Sequence, residues 1–311
     1  MMVEMNAYLA FFVGLVILSV CGDWLVSGSA RLGRALRLSP VFIGVCIIGF
    51  GTSLPELLAT VSAAVKGSSG LALGNVIGSN IANIGLIMAL GLLLCAKPMN
   101  VRAARMDYLL MLGATALFSV VMLLTDLNRL VALVFLAGLG VSIALSLRQG
   151  KKHYDHEDAE DDSPLPLAVF LVVLGLCGLF AGAEQLVDSA IVIAAHWGVP
   201  DKVVGLTMVA VGTSLPELAA AIASARRNEG DMILGNILGS NIFNLLAAAS
   251  AGGLFATLSA TGMGLDIVVM VVFAALLGVL FTLPKVSNRV LGLGLAAGYA
   301  GYVAVTAMMA M

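Results

Sequence analysis

The chain has 311 residues, of which 60% are hydrophobic and 11% charged, and its mean hydropathy is +1.07. Soluble domains carry about 25% charged residues, so this composition excludes an ordinary soluble globular protein. The net charge of −2 says little by itself, because the placement of the charges matters more than their sum.

Apolar runs long enough to cross a bilayer follow one another with short polar breaks. In chain order they predict ten spans, near 7–29, 40–65, 71–95, 106–125, 130–147, 165–195, 202–225, 232–255, 264–283 and 288–309. The start, MMVEMNAY, has Glu4 and no basic stretch, so it reads as the first span and not as a cleaved signal. Cys21, Cys46, Cys95 and Cys177 are scattered through spans and imply neither a disulfide framework nor a CxxC metal site. With alternating sides, 13 Lys and Arg fall on one face of the membrane and 3 (Lys66, Arg129, Lys202) on the other. The positive-inside rule then places both termini outside and the central loop in the cytoplasm, as for a plasma or bacterial inner membrane.

A shift of 161 residues superimposes the two halves. GTSLPE at Gly51–Glu56 recurs at Gly212–Glu217, and GNVIGSNIAN at Gly74–Asn83 recurs as GNILGSNIFN at Gly235–Asn244. Across 51–83 and 212–244, 17 of 33 positions are identical. Duplication of a five-span unit accounts for this. Five is odd, so the second copy enters from the opposite side, which places a binding site near the midplane between repeats. The expected organisation is a first repeat at 7–148, a charged cytoplasmic linker at 149–164 and a second repeat at 165–309, forming one all-α membrane domain. The linker holds His153, His156 and the carboxylates Asp155, Glu157, Asp158, Glu160, Asp161 and Asp162. Their spacing matches no EF-hand loop, and they read as a solvated connection.

Pro55 and Pro216 cannot donate backbone hydrogen bonds, so their helices should break near Gly49–Thr52 and Ala210–Thr213, leaving carbonyls for a protein, water or ion partner. Thr52 and Ser53 lie four and three residues before Glu56, and Thr213 and Ser214 stand likewise before Glu217. Carbonyls, hydroxyls and a carboxylate are hard oxygen ligands suited to Na⁺ or Ca²⁺. A proline kink satisfied by neighbouring helices would explain one copy; a buried glutamate in two opposed copies points to function. Asn75, Ser79 and Asn83 form a polar stripe along one helix face, repeated by Asn236, Ser240 and Asn244. Gly74, Gly78, Gly235 and Gly239 beside it permit close helix approach. Asn75 and Asn236 are equally well read as glue between helices, whereas Ser79, Asn83, Ser240 and Asn244 lie deeper and are the better candidates for completing the site. Glu56 and Glu217 together neutralise one Ca²⁺, and a site that cannot hold Ca²⁺ and Na⁺ together is what an exchanger needs.

The paired motifs resemble the two alpha repeats of the calcium/cation antiporter superfamily, most nearly its prokaryotic sodium/calcium exchangers, across essentially the whole chain. The resemblance implies ten helices in two inverted bundles with four cation sites at the midplane. It implies ligands from Gly49 (carbonyl), Thr52, Ser53, Glu56, Ser79 and Asn83, and from Ala210 (carbonyl), Thr213, Ser214, Glu217, Ser240 and Asn244. Some members carry Asp at the position of Asn244, an acid associated with potassium-dependent members and with some archaeal ones, so Asn here weakens K⁺ co-transport without excluding it. The expected activity is exchange of Ca²⁺ for Na⁺ by alternating access, with the first helix of each half sliding. Ca²⁺/H⁺ exchange and K⁺-dependent exchange use the same site as alternatives, and a cation channel is the alternative of another class. Intramembrane proteolysis is disfavoured, since no HExxH occurs and no histidine can serve a buried serine. The expected partners are Ca²⁺, Na⁺ and the bilayer, with no cofactor, nucleic acid or protein partner implied. Asp23 and Glu184, also 161 apart, read as structural partners near the membrane edge; Asp188 and Asp266 have no acid at the matched position.

Overall fold

A computed structural model describes residues 2–96, 98–152, 164–197, 212–283 and 287–310. Among these, eight helices are long and apolar enough to cross a membrane, and a bent pair brings the number to nine. They are α1 (Met2–Leu36), α2 and α3 (the bent pair Pro40–Thr52 and Leu54–Val65), α4 (Ser69–Leu94), α5 (Val101–Leu124) and α6 (Arg129–Lys152). There follow α7 (Leu165–His196), α9 (Gly230–Phe255), α10 (Gly264–Thr282) and α11 (Asn288–Ala310), while the 12-residue α8 (Leu215–Arg226) lies between α7 and α9 and is not one of the nine. The front of the expected span 202–225 and most of the charged linker lie outside the described residues.

Local chemistry explains where the chain turns. Ser39 caps α2, accepting from the Phe42 amide at 3.3 Å, and Pro40 opens the helix where no amide donor is needed. After α3 the chain passes through Gly67 at φ +74°, and the Ser68 amide returns to the Ala63 carbonyl at 2.9 Å. The same cap follows α8: Asn228 has φ +57°, and the Glu229 amide reaches the Ser224 carbonyl at 2.9 Å. This left-handed step suits glycine and is tolerated by asparagine, so both sequences close their helices in one way.

Two helices form the centre. The most apolar window of α9 is 100% buried and that of α4 78% buried, whereas for the other six unbroken spans the share is 17–44%, with large apolar side chains facing outward. The halves are cross-braced: α5 and α6 pack on α9, and α10 and α11 pack on α4. Asp107 on α5 pairs with Ser146 on α6, and Asp266 on α10 accepts from Tyr302 on α11 at 2.8 Å. Asp266 thus has a structural partner although no acid stands at its matched position, and the buried Asp107 has one too.

The long α1 and α7 lie against each other along most of their length. At 35 and 32 residues each is about 50 Å long, beyond the roughly 20 residues that a straight span needs. Glycines let their backbones touch: a Cβ added at Gly175 would lie 2.6 Å from the Leu25 amide nitrogen, and one at Gly28 2.8 Å from that of Val172. Asp23 links α1 to the end of α8 through Arg226 (3.8 Å) and Arg227 (3.6 Å). Its matched residue Glu184 is exposed and makes no such pair among the described residues.

A second close approach joins α2 to α9. An added Cβ would stand 2.2 Å from the Val41 carbonyl oxygen at Gly235, 2.2 Å from that of Val45 at Gly239, and 2.7 Å from that of Asn236 at Gly49. Gly74 and Gly78 meet no comparable backbone among the described residues.

Candidate cation-binding site

The break in the second span falls at Ser53 (φ −86°, ψ 8°), one residue beyond the expected stretch, and α3 begins with Leu54 and Pro55. Its counterpart before α8 is Ser214 (φ −90°, ψ 6°). A π-helical turn at Gly44–Gly49 precedes the first break, and π turns at Asn83–Met88 and Asn244–Ala248 start at the last residue of each polar stripe. Such turns displace the regular ladder of hydrogen bonds and recur at functional sites.

These elements bring Glu56 and Glu217 into one buried place. Both are 0% exposed. Ser53 Oγ donates to Glu217 Oε1 at 2.8 Å, and Ser214 Oγ donates to Glu56 Oε1 at 3.2 Å. Each carboxylate is therefore held by the serine of the other half, and each keeps its Oε2 buried without a partner. Thr213 Oγ1, four residues before Glu217, is also buried and unpartnered, as are Asn83 Oδ1 and both amide atoms of Asn244. A buried polar group without a partner costs about 1–3 kcal/mol, and a charged one more. Oxygens left in this state are available to a cation.

The remaining expected ligands sit as follows. Thr52 Oγ1 donates to the Ile48 carbonyl at 2.9 Å, so its lone pairs remain available. Ser240 Oγ donates to the Gly49 carbonyl at 3.1 Å, and the Ser53 amide reaches the same oxygen at 3.2 Å. The Gly49 carbonyl is thus not left bare by the break as expected; a cation there would share it with two donors. Ser79 is buried, at 4% exposure. Ala210 lies outside the described residues, as do His153, His156 and the linker carboxylates.

Asn75 and Asn236 take a role that the glue reading only half describes. Asn75 Nδ2 donates to the Glu56 backbone carbonyl at 2.9 Å and to Thr60 Oγ1 at 2.9 Å, and Asn236 Nδ2 approaches the Glu217 carbonyl at 3.5 Å. Each braces the helix turn that carries an acid. Among the described residues no three His, Cys, Asp or Glu side chains gather in a metal-type cluster, so the cage consists of two acids surrounded by neutral oxygens. That composition suits a hard cation held reversibly.

An all-helical membrane protein with a paired-carboxylate cage between helix breaks is thereby defined. The sequence model of the sodium/calcium exchanger protein family matches residues 6–148 and 167–308, segments that start 161 residues apart, and the chain belongs to that family. It is 38% identical over 306 residues to CaxA of Alkalimonas amylolytica, covering 93% of this chain and 95% of that one. It is 30% identical to the sodium/calcium exchanger MaX1 of Methanosarcina acetivorans, covering 85% and 87%. The solved structure of the sodium-calcium exchanger NCX_Mj, soaked with Na⁺ and no Ca²⁺, superimposes with a TM-score of 0.87 at 31% identity, covering 97% and 99%. These relatives are transporters, and the chain is an integral membrane protein of the same class.

Proposed function

We propose that the protein is a sodium/calcium antiporter that exports Ca²⁺ in exchange for entering Na⁺ by alternating access. The observation that carries this is the pair of fully buried glutamates, each with one oxygen held across the halves and one oxygen unpartnered. Two carboxylates balance one Ca²⁺ in charge. Na⁺ ions entering the same oxygens displace it, because the negative charge is not enough for both loads. An empty cage leaves two acids together in a low dielectric, so moving it empty across the membrane is costly and exchange becomes obligatory.

The ligands in this reading are the Gly49 carbonyl, Thr52, Ser53, Glu56, Ser79 and Asn83 from residues 7–148. From residues 165–309 come the Ala210 carbonyl, Thr213, Ser214, Glu217, Ser240 and Asn244. The two segments are inverted five-helix repeats joined by a cytoplasmic linker at 149–164, with both termini outside the plasma or inner membrane. The charge distribution of 13 Lys and Arg against 3 supports that orientation. The joined pair α1 and α7 is the moving layer. Its glycine contacts hold the two helices together, while its link to the core includes the partly exposed Asp23–Arg226/Arg227 pair. Such exposed pairs are worth about 0–1 kcal/mol and are easily exchanged.

Vesicles containing the protein and loaded with Na⁺ should take up labelled Ca²⁺ on dilution into Na⁺-free buffer. Uptake should be independent of K⁺, given Asn at 244, and should not follow an imposed pH gradient. Uptake driven by the pH gradient and indifferent to Na⁺ would establish Ca²⁺/H⁺ exchange in its place. Channel-like currents without counterflow would overturn antiport.

A further inference from the structure

Asn83 and Asn244 occupy matched positions, yet their amides are held differently. Asn83 Nδ2 donates to Asn241 Oδ1 at 3.1 Å, whereas neither amide atom of Asn244 has a partner. The residue matched to Asn241 is Asn80, and its Nδ2 turns back to the Val76 carbonyl of its own helix at 2.7 Å. Asn241 Nδ2 in turn lies 3.7 Å from Met111 Sδ on α5. Asn83, Asn241 and Met111 are all essentially inaccessible.

The direction of this chain follows from sulfur chemistry. A thioether accepts a hydrogen bond weakly and has no proton to give. The end of the Asn241 amide that faces Met111 is therefore its NH₂, and the other end is its oxygen. Only an NH₂ can face that oxygen favourably, so Asn83 turns its nitrogen toward Asn241 and its Oδ1 away. That Oδ1 is buried and has no hydrogen-bond partner. The two ends of an amide are nearly alike in shape, so a neutral surrounding would not choose between them. A cation discriminates strongly: it binds the oxygen and is repelled by the NH₂.

We propose that Met111 and Asn241 form a polarity relay that holds Asn83 with its oxygen toward the bound cation, which makes Asn241 a positioning residue for ion binding. The relay rests on the cation site proposed above. It has no counterpart at Asn244, whose amide is free of hydrogen bonds and can turn as the occupant changes. One side of the cage is preset and the other adjusts.

The test is a double-mutant cycle on the purified full-length protein, read as Ca²⁺ and Na⁺ affinity by calorimetry with the melting temperature as control. Asn241→Leu removes the relay at similar volume and should weaken binding of both ions about tenfold, the scale of one lost oriented polar contact. In an Asn83→Asp background either end of the side chain is an oxygen, so no orientation is needed and Asn241→Leu should change affinity little. Met111→Leu conserves volume and should weaken binding in the same direction, by a few-fold, with the melting temperature nearly unchanged. Equal losses in both backgrounds, or unaltered affinity in Asn241→Leu and Met111→Leu, would overturn the relay. Wild-type protein that bound neither ion would overturn the exchange reading itself, a distinguishable result.

Discussion

Glutamine in place of Glu217, or of Glu56, abolishes Ca²⁺ exchange while improving the stability of the ion-free protein. The amide keeps the volume of the acid and can still accept from Ser53 or Ser214, so the fold around it is retained. What disappears is half of the negative charge facing the cation. Removing one member of a buried charge set costs about 3–5 kcal/mol, which at 1.4 kcal/mol per tenfold means a loss in Ca²⁺ affinity of at least 100-fold. In the empty protein the sign reverses, because two neighbouring buried acids no longer oppose one another. Melting curves with and without Ca²⁺ separate the effects. The wild type should gain about 2.7 kcal/mol of apparent stability at a Ca²⁺ concentration 100 times its dissociation constant, and the glutamine variants almost nothing. A Glu217→Gln protein that exchanged normally would remove Glu217 from the site.

Gly239→Ala is expected to destroy the protein without touching an ion ligand. The added Cβ would stand 2.2 Å from the Val45 carbonyl oxygen and 2.6 Å from the Val45 Cα, both backbone atoms of α2. No rotamer change relieves a clash between two backbones; α2 must move away from α9. Overpacking costs about 1–3 kcal/mol where side chains can yield, and more is expected where they cannot. The displaced segment carries Gly49 and Thr52, so surviving protein should also bind ions poorly. Gly70→Ala is the control: its nearest neighbour, Met263 Cε, is 4.0 Å from the added Cβ, and the substitution should be neutral or slightly stabilising. Yield of monodisperse protein and its melting temperature measure both. Equal behaviour of the two variants would mean that the α2–α9 contact is not tight.

Much of this was legible in the chain. The offset of 161 residues pairs Ser53 with Ser214 and Glu56 with Glu217, and the structure uses those pairs crosswise, each serine on the opposite acid. Matched left-handed turns at Gly67 and Asn228 follow the same register. Other features were hidden for physical reasons. Arg31, Arg34 and Arg37 end the hydropathy run of the first span, but charged residues do not end a helix, and α1 continues to Leu36. Asp107 and Asp266 each reach a hydroxyl on the following helix, yet they are 159 residues apart, so the 161-residue register does not align them. Asn241 lies within the repeated GSN step but off the Asn236–Ser240–Asn244 stripe, and its contact with Met111, 130 residues away, is not written in the local sequence. The reach of Asn75 and Asn236 to glutamate backbones could not be read either, because a polar stripe states which face is polar and not what it meets.

In the proposed function the two glutamates form one cage whose occupants exclude each other. Calorimetric titration of purified protein with Ca²⁺, repeated at rising Na⁺, tests it most directly. One Ca²⁺ per chain is expected, displaced competitively by Na⁺ and lost in both Glu56→Gln and Glu217→Gln. Ca²⁺ binding that persists undiminished at saturating Na⁺, or survives in either glutamine variant, would contradict it.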